Sequence, residues 1–119
     1  MIEKLITDFF YAIEKNESIT SRHGKAVFFI EEILEKKHEK FNYVSIQTIS
    51  RLHRKFVENE KKISVGVPNG FIKDAMAQYL NYTNYDDYKL INSPTVFLGK
   101  KKIHYSNKNH ISKLKLKVA

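Results

Sequence analysis

The sequence of 119 residues has no cysteine and no tryptophan, and only four glycines and two prolines. Without thiols there is no disulfide framework, no zinc finger of the cysteine type and no thiol nucleophile. Scarce glycine and proline leave little room for flexible linkers, and with 42% hydrophobic and 13% aromatic residues most of the chain is expected to fold. A length of this order suits one domain that closes its own core without metal or disulfide. No apolar run approaches the ~18 residues that mark a membrane span. Glu3 and Asp8 interrupt the apolar pattern of Met1 to Phe10, which the apolar core of a secretory leader does not tolerate. These absences predict a soluble, intracellular protein. Lysine outnumbers arginine 18 to 3, a bias that resembles AT-rich genomes, so the expected setting is the cytoplasm of a bacterium or of a phage-infected host cell.

Acid is missing from the last quarter. Between Asn92 and Ala119 lie seven lysines (Lys100, Lys101, Lys102, Lys108, Lys113, Lys115 and Lys117) and no Asp or Glu, so this segment carries +7 of the total +8. Residues 1–91 hold 14 basic and 13 acidic side chains. A nearly neutral body with a strongly cationic end implies a polyanionic partner, with nucleic acid, DNA or RNA, the first candidate. The expected division is a helical domain over 1–91 and a basic, β-rich appendage over 92–119.

Hydropathy supports that division. Ile2, Leu5, Ile6, Phe9, Phe10 and Ile13 recur with the period of a helix and form one apolar stripe. After a polar stretch with Ser18, Thr20 and Ser21 as cap candidates, Val27, Ile30, Ile33 and Leu34 predict a second helix. Ser45 is a plausible N-cap for a third, whose core face is Ile46, Ile49, Leu52, His53 and Phe56. A Gly66-Val67-Pro68-Asn69 turn precedes a fourth amphipathic stretch from Phe71 to Leu80, with Asn81 as its stop. A short fifth helical turn is expected around Asn84 to Tyr88, with Asp86 and Asp87 near its N-terminus. Thr95 to Leu98 and Lys102 to Tyr105 flank Gly99-Lys100 as a hairpin would, and Leu114, Leu116 and Val118 alternate with lysines. The fold class expected is mainly α, a bundle of four or five helices with a small C-terminal β appendage.

Helices two and three, joined by a short junction, suit a helix-turn-helix, in which the second helix enters the major groove. Its polar face holds Gln47, Ser50, Arg51, Arg54 and Lys55. Gln47 and Ser50 near the helix start suit base edges, and the cations suit guanine or phosphate. The plain alternative is a solvated face that binds nothing. Ser45, Thr48, Ile49 and Arg51, followed by Ala77, Tyr79, Leu80, Asn81, Tyr82, Tyr85, Asp87 and Tyr88, resemble a bacterial helix-turn-helix-like module with the pattern Ser-x-x-Thr-Ile/Leu-x-Arg, then Ala-x-Tyr-Leu-Gly-Tyr and a closing aromatic, acid and aromatic. The resemblance covers Val44 to Tyr88 and implies a small all-α core of the kind used in regulators of bacterial and mobile-element genes. Asn81 stands where the pattern has glycine, and Asn tolerates the left-handed conformation that position requires.

Signals for catalysis are weak. Glu31, Glu35 and Glu39 interleave with Lys36, Lys37 and Lys40 as on a solvated face. The five histidines show no metal-ligand spacing, and Glu60-x-Lys62 has no partnering upstream acid. No enzyme, metal or cofactor is expected. Tyr79, Tyr82, Tyr85 and Tyr88 suit either core packing with hydroxyls at the surface or an exposed binding face. Phe97 and Tyr105 suit stacking on unpaired bases.

The function expected is non-enzymatic nucleic-acid binding by a small bacterial or phage regulator, with homodimerisation open because no coiled-coil heptad indicates it. Two other readings stand beside it. One is a phage-encoded inhibitor of the anti-CRISPR type that binds a nucleic-acid-handling effector or its guide RNA. The other is an adaptor whose basic end meets an acidic protein, or lysines that merely guard a strand edge.

Overall fold

The computed structural model describes residues 1–93, and the expected C-terminal hairpin and strand lie outside the described residues. Five helices follow one another: α1 (Ile2–Glu17), α2 (Arg22–Phe28), α3 (Ile46–Leu52), α4 (Gly70–Tyr79) and α5 (Tyr85–Asn92). Two of them widen without interruption into π-helical continuations, Phe29–Lys37 after α2 and His53–Val57 after α3. No strand occurs among the described residues.

The stripe read from the first helix is the centre of the core. Leu5, Ile6, Phe9, Phe10 and Ile13 have no exposed surface, because α1 is covered by α2, by the π segment after α3 and by α4. Phe9 meets Phe10, Phe29 and Tyr79 edge to face with ring centroids 5.3, 5.1 and 5.4 Å apart, an arrangement that sets positive ring edges on negative faces. The other helices dock in pairs, α2 on α3 and α4 on α5. Their buried contributions are Ala26, Ile33 and Leu34, then Ile49 and Leu52, then Ile72, Ala75 and Met76, and last Tyr88.

Each helix after the first begins on the same device. The side chains of Ser21, Ser45, Asn69 and Asn84 accept from the backbone N–H groups of Gly24, Thr48, Ile72 and Asp87, satisfying a donor that the helix itself leaves unpaired. At α5 the bond is answered, since the Asp87 carboxylate accepts from the Thr83 N–H at 2.9 Å.

The continuations are π-helical by their hydrogen bonds. The backbone N–H of His38 reaches the carbonyl of Ile33 at 3.1 Å, and that of Glu58 reaches His53 at 3.0 Å, five residues back in each case, as a π-helix requires. Ala26, Phe29, Ile30, Ile33 and Leu34 are buried and Val27 is only half-buried, so the apolar face begins one residue before the expected Val27.

Helix stops are made without glycine. Ser18, Glu39, Asn59 and Asn81 hold φ values of 60°, 56°, 59° and 73°, and no described glycine has positive φ. The left-handed conformation suits Asn but crowds the Cβ of other residues. Replacing Glu39 or Ser18 by glycine is therefore expected to stabilise the fold by up to ~1 kcal/mol each, and Asn81→Gly by less. Urea denaturation midpoints of the three variants check the order; a loss of stability in Glu39→Gly would contradict it.

Candidate nucleic-acid interface

The polar face expected on the third helix is present, and its members have different surroundings. Gln47 and Arg51 are exposed, while Ser50, Arg54 and Lys55 are half-buried. Arg54 is held by Glu60, its Nε and Nη2 donating to the two carboxylate oxygens at 3.3 and 2.8 Å. Lys55 rests its ammonium 5.7 Å from the centre of the Phe56 ring. Among the described residues neither Arg51 nor Lys55 has a carboxylate partner. Lys100, Lys101, Lys102, Lys108, Lys113, Lys115 and Lys117 lie outside the described residues.

The junction before α3 differs from a short helix-turn-helix corner. Residues 38–45 separate the preceding π segment from α3, more than the three or four residues of that motif, and Glu39 and Asn42 turn the chain in left-handed conformations. The helices nonetheless pack directly on each other.

What joins them is a chain of polar groups inside the body. Lys25, on α2, is 4% exposed, and its ammonium donates to Glu14 of α1 at 2.8 Å and meets His53 Nε2 at 3.4 Å. A lysine ammonium only donates, so Nε2 of His53 accepts and Nδ1 carries the proton. Nδ1 then donates to Glu58 at 2.6 Å. The same carboxylate accepts from Nε and Nη2 of Arg22, both at 2.8 Å. His53 also sets its ring against Phe10, 4.9 Å between centroids. It is thus a packing residue fixed in one tautomer.

These neighbours shift the titrations. Hydrogen bonds from Arg22 hold the Glu58 carboxyl down to about 2, with His53 adding to the effect. Burial pushes His53 below its ordinary value of 6.5, against the opposing pull of the Glu58 hydrogen bond. Burial also lowers His38, whose Nε2 is buried with no partner and whose ring lies against Phe71. Glu60 is lowered by its bonds from Arg54.

The tyrosines resolve into core and rim. Tyr88 is buried and donates to Asp8 at 2.7 Å. Tyr82 and Tyr85 pack against it at 5.0 and 6.4 Å, and Tyr79 fills the space between Phe9 and Phe28. Their contacts are those of packing, with half-buried rings closing the α4–α5 end.

A concavity of about 450 Å³ lies beside the expected face, lined by Glu3, Lys55, Phe56, Asn59 and Lys61. Lys61 was not anticipated from the pattern; its only trace there is the Lys61-Lys62 pair within a polar stretch. Among the described residues no cluster of three or more His, Asp or Glu side chains suits a metal ion, and no helix is long and apolar enough to cross a membrane. Compared with known proteins, the chain matches no family model, no curated protein and no solved structure.

Stability is expected to fall with acid in two stages. His53 and His38 titrate lower in the fold than their ordinary 6.5, so the unfolded chain takes up protons first, and stability present above pH 6.5 is lost as pH drops below it. Glu58, moved from 4.5 to about 2, contributes stability above pH 4.5 that disappears toward pH 2. Urea midpoints measured from pH 8 to pH 3 are expected to show a first stage that shrinks in His53→Gln and a second that shrinks in Glu58→Gln. An unchanged first stage in His53→Gln would contradict the neutral tautomer.

Proposed function

We propose that this protein is a non-enzymatic nucleic-acid-binding protein, a small bacterial or phage regulator that grips phosphates through its lysine-rich C-terminal segment. The observation that carries this reading is the separation of charge: residues 92–119 hold +7 with no acid, whereas residues 1–91 are nearly neutral. In the folded body, ion pairs take up much of the charge, with Arg22, Lys25 and Arg54 each bonded to a carboxylate. The lysines between Asn92 and Ala119 have no acid in their own segment to answer them. Lysines that neutralise phosphates release condensed counterions, so binding of this kind weakens steeply with salt. Exposed Gln47 and Arg51 on α3 give a second surface for the same ligand.

Fluorescence anisotropy of the full chain against duplex DNA, single-stranded DNA and structured RNA, over a salt series, tests it. With all seven lysines engaged, log K against log salt is expected to slope by up to about −6 on duplex DNA and about −5 on single strands. A full-length variant with those lysines replaced by glutamine is expected to lose most of the slope and affinity. Absence of binding at moderate salt, or a flat salt response, would overturn the reading.

A further inference from the structure

The concavity lined by Glu3, Lys55, Phe56, Asn59 and Lys61 is built on the ion pairs of the body. After the π segment of the third helix the chain turns at Asn59, φ 59°. The backbone N–H of Glu60 bonds the Arg54 carbonyl at 3.0 Å, Lys61 the Asn59 carbonyl at 3.1 Å, and Ile63 the Glu60 carbonyl at 3.0 Å. Two side-chain clamps fix the same turn from outside it, Arg22 on Glu58 and Arg54 on Glu60, both bidentate. Of the arginines that the sequence pattern offers for phosphate, Arg54 is therefore occupied, and the acids that would quench nearby lysines, Glu58 and Glu60, are occupied by Arg22 and Arg54. Lys61, on that fixed turn, has no carboxylate partner among the described residues, and Lys55 leans on an aromatic face instead of an acid. Arg51 stands one helical turn before Lys55, exposed on the same side.

On the reading of the protein as a nucleic-acid binder, we infer that this concavity is a second phosphate contact on the folded body, with Lys55 and Lys61 as its ligands and Arg51 extending it. Arg54 is a positioning residue here: through Glu60 it holds the turn that carries Lys61. The ligand is the sugar-phosphate backbone, because point-charge ammonium groups over an open hollow neutralise phosphate without reading a base edge. Glu3 is the one acid in the lining, and it opposes the ligand.

Full-length Lys55→Gln/Lys61→Gln and full-length Glu3→Gln are compared with the intact chain by anisotropy on fluorescein-labelled duplex DNA, single-stranded DNA and RNA of one sequence, over a salt series. Lys15→Gln/Lys37→Gln, which removes two exposed lysines elsewhere, controls for net charge. The lysine pair is expected to lose about tenfold or more in affinity and to reduce the salt slope by about 2 on duplex DNA, with the control close to wild type. Glu3→Gln is expected to bind more tightly, a direction that damage to the fold does not produce. Arg54→Gln is expected to reproduce part of the slope change, and Arg54→Lys to restore less than wild type because a single ammonium does not hold Glu60 bidentately. If the intact chain binds and the lysine pair matches the control in affinity and slope, this contact is overturned while the proposed function stands. If the intact chain binds none of the three probes, both are overturned together.

Discussion

A buried ammonium organises this fold. Lys25 leaves water almost completely, and an unpaired cation in that position is prohibitively unfavourable. Its partners must therefore come from the helices around it, Glu14 from α1 and His53 from the π segment after α3. The imidazole orientation follows, then the position of Glu58, then that of Arg22. Such chains seldom add much net stability, since desolvation offsets most of the attraction, and Glu14 remains 46% exposed. Their effect is on register. A slide of α2 against α3 by one turn would take Lys25 away from Glu14 and His53 and leave a buried cation unpaired. Apolar packing around Phe9 drives collapse, and the polar chain selects which collapsed arrangement survives.

The same network decides which cations face solvent. A helix surface with three cations looks uniform in sequence, yet Arg54 is committed to Glu60 while Arg51 and Lys55 have no acid partner among the described residues. A bidentate guanidinium pair fixes geometry in a way that an ammonium does not. Arg22 and Arg54 serve the protein's own architecture, whereas Arg51 and Lys55 have no such tie to an acid among the described residues.

How much was legible from the residues differs by interaction range. Local signals gave the five helices, the cap at Ser45 and the left-handed stop at Asn81, because capping and chirality depend on only a few neighbouring residues. The stripe of α1 was readable because a single face is buried over its whole length. Two features were hidden. The π continuations leave no mark in an apolar period short enough to fit either helix, and the run from Ala26 to Phe29 is apolar throughout, so the pattern does not single out Ala26 and Phe29 as buried and Val27 as half-buried. The Arg22–Glu58 and Lys25–His53 contacts join residues 36 and 28 apart, and nothing local distinguishes those side chains from solvated ones. The candidate face on α3 was legible as a set of residue types; the commitment of Arg54 and the approach of Lys61 were not, since both depend on the path of the turn after Val57.

The Tyr88–Asp8 bond joins residues 80 apart and seats α5 on the first half of α1, the half that also contributes Glu3 to the Lys55–Lys61 hollow. The chain thus enters the lysine-rich segment from a helix anchored on α1. On the proposed function, the two sets of lysines on one chain would make a bivalent ligand trap. A strand released by one would still be held near the other at a raised effective concentration, so residence time would be set by simultaneous release.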